Sequence, residues 1–174
     1  NIGYQYNLAS NSGMEFWEMI WFGFLKIIPL YLVSYIVGLG IEFASAQIRG
    51  HEVNEGYLVT GMIIPLIVPV TTPLWMLTLA VAFAVIIGKE IFGGTGMNIW
   101  NPALVARVFL FFAYPSHMSG DKVWVAGVDG FSGATPLAQT SDGLSSLHYS
   151  VSDMFFGFIP GSVGETSTLA IILG

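Results

Sequence analysis

The chain has 174 residues, of which 54% are hydrophobic and only 9% charged, and its mean hydropathy is +0.72. A soluble domain carries about 25% charged residues, so this chain has too little charge to clothe a water-facing surface and reads as an integral membrane protein. The net charge of −6 provides no basic face for nucleic acid, and the absence of cysteine excludes disulfides, thiolate metal sites, iron–sulfur clusters and thiol catalysis by this chain.

The chain opens at Asn1 with a polar stretch lacking the basic start of a signal peptide, and it stops at Gly174 inside the apolar run LAIILG. Both ends lead us to expect a piece of a longer membrane protein, residues 1–174 forming a single membrane-domain fragment with about five membrane segments. The first segment runs from Met19 to Ile41, interrupted only by Lys26, which suits a span of about 20 residues. A polar connection, IEFASAQIRGHEVNEG, is expected to follow. Gly56 to Gly88 then carries no charged residue. As one helix it would measure roughly 50 Å, too long for a hydrocarbon core of about 30 Å. PVTTP (Pro69–Pro73) divides it into two pieces, and Pro65 weakens the first. Short, proline-interrupted pieces are tolerated where they line a protected cavity.

In GKEIFGGTGMNIWNPAL, Gly88, Gly93, Gly94 and Gly96 mark a turn, and Asn98 to Pro102 begin a helix that carries Arg107 and ends near Ala113. Residues 115–150 form the longest polar region, an extramembrane loop. FFGFIPGSVGETSTLAIILG opens another membrane piece. The fold class is therefore an all-α membrane bundle with short or broken helices. Arg49 and Lys89 flank connections separated by two crossings, so both lie on one side. Basic residues favour the cytoplasmic side, which puts PVTTP and the 115–150 loop outside.

Within that loop, DGFSGATPLAQT sets Thr135 beside Gly133 and Ala134, with Pro136 holding Thr135 extended. From residue physics alone this is a plain turn loop with an accessible hydroxyl. The spacing D-x-x-S-G-A-T, from Asp129 through Ser132 to Thr135, nevertheless looks like the flavinylation motif in which a threonine carries FMN through a phosphoester. Further blocks support that likeness: GHEVNEGYLVTG, KEIFGGTGMNIWNPALVARVFLFFAYP, SGDKVW and IPGSVGETSTLA. Together they resemble the B-type subunit of the sodium-translocating NADH:quinone oxidoreductases, from about Gly38 to Leu173. The related D-type subunit of Rnf complexes shares the flavin-threonine loop, but HEVNEG and PSHMSGD favour the quinone reductase.

The resemblance implies a transporter-like fold of two related halves and an electron-transfer subunit of a six-subunit, sodium-pumping translocase in the bacterial inner membrane. It implies covalent FMN on Thr135 within the motif Asp129, Ser132, Gly133 and Ala134, placed on the periplasmic side. It also implies a non-covalent riboflavin near Thr60, Asn98 and Asn101, and a quinone region at Gly38 and Glu42, where Leu39 replaces an expected second glycine. The implied partners are the flavin-bearing C-type subunit, quinone, Na⁺ and, during maturation, a flavin transferase. No side chain is expected to perform bond-making catalysis.

Plainer readings stand beside these. Asn98 suits a helix cap, Glu42 a wet interface pairing with Arg49, and Glu90 a solvated charge beside Lys89 in preference to a sodium-path acid. Lys26 suits snorkelling or pairing with another subunit, Arg107 a phosphate, a buried acid or a helix elsewhere in the longer protein, and Glu165 a helix start. His51, His117 and His148 have no metal-ligand spacing. A flavin-free transporter or channel module and a structural scaffold remain the alternatives from other classes.

Overall fold

The computed structural model describes residues 1–50, 55–118, 124–125, 133–141 and 149–174. Among these the chain is all-α, with no strand. A short first helix, α1 (Ile2–Ser10), leads into α2 (Phe16–Arg49). At 34 residues α2 is roughly 51 Å long, well beyond the hydrocarbon thickness. Glu15 and Glu18 close a capping box at its start, and Gly50, at φ 70°, ends it in the left-handed conformation that favours glycine.

The expected polar connection after Ile41 is thus the last two turns of α2. The helix continues because its polar groups there find partners: Glu42 bonds Lys89, and Ser45 bonds Glu90. The residues of α2 buried against the bundle are Leu30, Ser34, Gly38, Glu42 and Ala46, spaced four apart along one face. Its other faces expose Trp17, Trp21, Phe24, Leu32, Ile36 and Phe43. An exposed surface this apolar belongs in lipid or against further helices.

The predicted break at PVTTP is present. Helix α3 (Gly56–Ile67) and helix α4 (Leu74–Gly88) are separate pieces. With the 3₁₀ turn Glu90–Phe92, the α4 segment is, like α2, long and apolar enough to cross a membrane. Helices α3 and α5 (Pro102–Ala113) are apolar but about 18 Å long, too short to cross alone. Leu77, Ala80, Val81, Ala84 and Val85 of α4 are fully buried between α2 and α5.

Pro65 sits inside α3 and has no N–H to give the Gly61 carbonyl. The Ser34 hydroxyl of α2 supplies that bond at 3.0 Å. Tyr57 donates its hydroxyl to the Ser34 carbonyl at 2.9 Å, and Tyr35 donates to the Leu58 carbonyl at 2.8 Å. In an apolar solvent such interhelical bonds serve as glue where a proline has opened the helix.

Among the described residues four shorter helices follow: α6 (Pro115–Met118), α7 (Pro136–Ser141), α8 (Val151–Phe156) and α9 (Thr168–Leu173). The predicted loop 115–150 therefore contains two helical turns, α6 and α7, each begun by a proline.

Candidate functional site

Two cavities contain four of the sequence-predicted positions, Thr60, Asn98, Asn101 and Thr135. The first is polar, about 320 Å³, and lies between α3, the end of α4 and the loop leading to α5. Thr60, Asn98 and Asn101 come together on its wall, although they lie on separate elements. The loop reaches this position through Gly93, Gly94 and Gly96, whose φ values of 115°, 93° and 89° a side chain rarely adopts.

Asn98 does not cap a helix. Its Oδ1 accepts from the Gly96 amide at 3.3 Å and its Nδ2 donates to the Trp100 carbonyl at 2.9 Å, so it ties the loop to itself. Asn101 is the cap: its Oδ1 accepts the Ala103 amide at 2.9 Å, with Pro102 at the first helical position. Among the described residues nothing accepts from the Asn101 amide nitrogen, which leaves it for a ligand. Trp100 and Asn101 also border an open apolar groove of about 820 Å³ along α5, walled by Phe83, Leu104, Val108 and Phe109.

Sequence reasoning missed Lys89. It lies on the wall of the polar cavity while being 3% exposed, and it pairs with the buried Glu42. The expected Glu42–Arg49 pairing is replaced because Arg49 donates to the Glu90 backbone carbonyl at 2.6 Å instead. Glu90 is not a solvated charge either. It is 5% exposed and receives the Ser45 hydroxyl, since the prolonged α2 covers it. The signal was present in the sequence: an acid within an apolar span requires a counter-charge, and Lys89 directly follows the long uncharged run.

Gly38 lies one turn before Glu42 and is filled by its neighbour. A Cβ there would fall 1.9 Å from the Tyr57 hydroxyl oxygen. Neither Gly38 nor Glu42 lines a described cavity. Lys26 extends over the Phe22 ring, 5.6 Å from its centroid.

The second cavity, about 460 Å³, contains Thr135, with Trp124, Met154, Ile159 and Pro160 supplying apolar walls. Gly133 is buried, and Ala134 and Thr135 are half-buried. Thr135 begins α7: its Oγ1 accepts the Ala138 amide at 3.2 Å, and its carbonyl accepts the Gln139 amide at 3.0 Å. The Gln139 side chain donates back to the Ala134 carbonyl at 3.1 Å, which pins the approach to the threonine. Asp129 and Ser132 lie outside the described residues, as do His51 and His148; His117 is on α6.

Glu165 also borders this cavity and does not cap a helix. Both its carboxylate oxygens accept from Arg107, at 2.9 and 2.8 Å, and Ser162 adds a third bond at 2.7 Å. Ser167 caps α9 instead, accepting the Ala170 amide at 3.2 Å. Among the described residues no cluster of acids and histidines suits a metal.

The two cavities share their scaffold. Asn101 starts α5 at the polar cavity, and Arg107, about 9 Å farther along that helix, holds Glu165 at the second. Helix α3 does the same: Thr60 lines the first cavity, and the Leu66 carbonyl accepts the Gly164 amide at 2.9 Å beside the second.

Residues 8–174 match the model of the NQR2, RnfD, RnfE family. The chain belongs to this family. It is similar to the B-type subunit of the Na(+)-translocating NADH-quinone reductase of Chromohalobacter salexigens, 54% identical over 169 residues, covering 95% of this chain and 41% of that protein. The corresponding subunit of Neisseria meningitidis serogroup B is 47% identical, covering 97% of this chain and 42% of that protein. For that of Stutzerimonas stutzeri the identity is 47%, with 100% of this chain and 50% of that protein covered. The chain thus spans half or less of the length of these relatives.

Proposed function

We propose that this family member is a membrane electron-transfer subunit of a sodium-translocating NADH:quinone oxidoreductase, with a non-covalent riboflavin in the polar cavity and covalent FMN on Thr135. The observation that carries the reading is the meeting of Thr60, Asn98 and Asn101 at one cavity, in a chain about half identical to proteins of that name.

The residues present fit such groups. A hydroxyl and two carboxamides offer donors and acceptors to a ring edge or a ribityl chain without adding charge. At Thr135 the oxygen that caps α7 acts as an acceptor only, so esterification with phosphate replaces its proton and leaves the cap bond in place. Trp124, Met154 and Pro160 then offer apolar contact to a planar ring beyond the phosphate. When bound, the flavins supply one-electron transfer; the protein orients them, excludes water and tunes their surroundings.

The remaining assignments belong to the same reading: the C-type subunit, quinone and Na⁺ as partners, a flavin transferase during maturation, the inner membrane, and a periplasmic Thr135 loop. A quinone would reach Gly38 or Glu42 only once Tyr57 or Lys89 moves aside, because those side chains cover them.

Peptide mass spectrometry of the protein from its native membranes tests the reading. The Thr135 peptide is expected to carry an FMN-phosphate adduct that Thr135→Val removes. An unmodified Thr135 peptide from an active complex refutes the covalent site and favours a flavin-free transporter module or a scaffold.

A further inference from the structure

A lysine borders the polar cavity, and the binding of an uncharged ligand leaves its buried charge without a purpose. Lys89 lies on the cavity wall beside Thr60 and Asn98 although it is almost fully buried. Its ammonium bonds Glu42 Oε1 and lies 5.8 Å from the centroid of the Tyr57 ring. Glu42 sits behind it on α2, off the cavity wall, and its Oε2 is buried without a hydrogen-bond partner among the described residues. Lys89 is thus the member of the pair that borders the cavity, and Glu42 stays in the helix interface.

Stability does not explain this arrangement. Taking two charges out of water costs about as much as their attraction returns, and apolar residues of similar size commonly serve a fold as well. The orphaned Glu42 oxygen adds a further cost. The tyrosine ring and the Glu42 carboxylate fix the ammonium behind the stretch of chain that borders the cavity, since Gly38 lets Tyr57 pack directly over α2.

We propose that Lys89, held by Glu42, is a positioning residue that favours the uptake of negative charge by a ring bound between Thr60, Asn98 and Asn101. This rests on the reading that the cavity takes a non-covalent flavin. An electron arriving from the covalent flavin oxidises that donor and reduces the ring. No bond is made or broken, and the ring gains one negative charge unless a proton accompanies the electron. A fixed ammonium at low dielectric stabilises that charge, and a carboxylate behind it limits the effect.

The test is a redox titration of the assembled complex, with acid-extractable flavin measured separately. Lys89→Met is expected to retain extractable flavin while its one-electron equilibrium shifts about ten-fold toward the oxidised form, ~59 mV lower. Glu42→Gln shifts it the opposite way, because the ammonium is then uncompensated, and Lys89→Arg stays within two-fold of the unaltered protein. Where Lys89→Met does not assemble or loses flavin, the double variant Lys89→Gln/Glu42→Gln leaves no unpaired charge and must still lower the potential. Retained flavin with no shift, or shifts of the same sign for Lys89→Met and Glu42→Gln, overturns the proposal. Loss of flavin from the double variant does so too, since Lys89 is then needed for binding and not for tuning. Absence of extractable flavin from the unaltered complex is read before any variant, and it refutes the cavity's flavin reading itself.

Discussion

The two cavities are built in different ways. The polar one is set by helix packing: α3 and α4 are locked to α2 by Ser34, Tyr35, Tyr57 and the Glu42–Lys89 pair, and its asparagines sit on a glycine turn fixed between α4 and α5. The Thr135 cavity is walled by single helical turns, each held by one cap and a few loop bonds. The first arrangement suits a ligand held only by shape and hydrogen bonds, which needs rigid, pre-placed groups. The second suits a group tethered by a covalent bond, which needs access for a modifying enzyme more than rigidity.

That contrast predicts separable losses, and they are the largest effects expected. Thr60→Val combined with Asn98→Ala should strip acid-extractable flavin from the complex and leave the Thr135 adduct intact. Thr135→Val should do the reverse. Flavin extraction followed by peptide mass spectrometry reads both quantities from one sample. If either change removes both flavins, the two sites are not independent and the contrast is wrong.

Two nearby glycines on α2 sharpen the rigid side of the comparison. Gly38→Ala drives a Cβ into the Tyr57 ring, 1.8 Å from its nearest atom, so Tyr57 must leave its bond to Ser34. Overpacking of this kind typically costs ~1–3 kcal/mol. Gly40→Ala meets nothing within 4 Å and should stabilise the helix by up to ~1 kcal/mol. Thermal unfolding in detergent separates the two; equal melting temperatures would mean that Tyr57 is not seated on Gly38.

Ser34→Ala has a smaller consequence. It removes the donor to the Gly61 carbonyl that Pro65 leaves open, and a bond of this type between membrane helices is worth ~1 kcal/mol. A double-mutant cycle with Pro65→Ala checks the mechanism. Once residue 65 has its own N–H, loss of the serine hydroxyl should cost almost nothing.

The broken helix was legible in the sequence because prolines and an over-long uncharged run are local signals. The helix from Asn98–Pro102 to about Ala113 was legible for the same reason, since glycines and a proline mark its start. The partners of the charges were not. Glu42 and Glu90 face a choice among distant cations and hydroxyls that depends on how far α2 extends past Ile41 and on where the end of α4 meets it, and the choice of Arg107 by Glu165 depends on where α5 passes. None of these is written locally. The Thr60, Asn98 and Asn101 grouping came from family resemblance, whereas Asn98 beside GGTG read on its own as a cap, a role the fold gives to Asn101. The helical turn after Thr135 had a local signal, a threonine before a proline, that the loop reading passed over.

The smallest effect concerns the looser cavity and depends on pH. Met154, on its wall, belongs to α8, whose start is a capping box between Ser150 and Asp153. The Ser150 side chain and backbone amide both donate to the Asp153 carboxylate and lower its pKa. A carboxyl lowered in the folded state stabilises that state above its ordinary pKa, and the contribution disappears as pH falls through the lowered value. Amide exchange in the first turn of α8, corrected for its intrinsic pH dependence, should therefore stay constant from neutral pH down to the ordinary carboxylate range and accelerate below it. Ser150→Ala should remove the donor hydroxyl, raise exchange at neutral pH and move the acceleration to higher pH. Identical profiles in the two proteins would mean that the box does not hold α8, and that Met154 is placed by its apolar contacts alone.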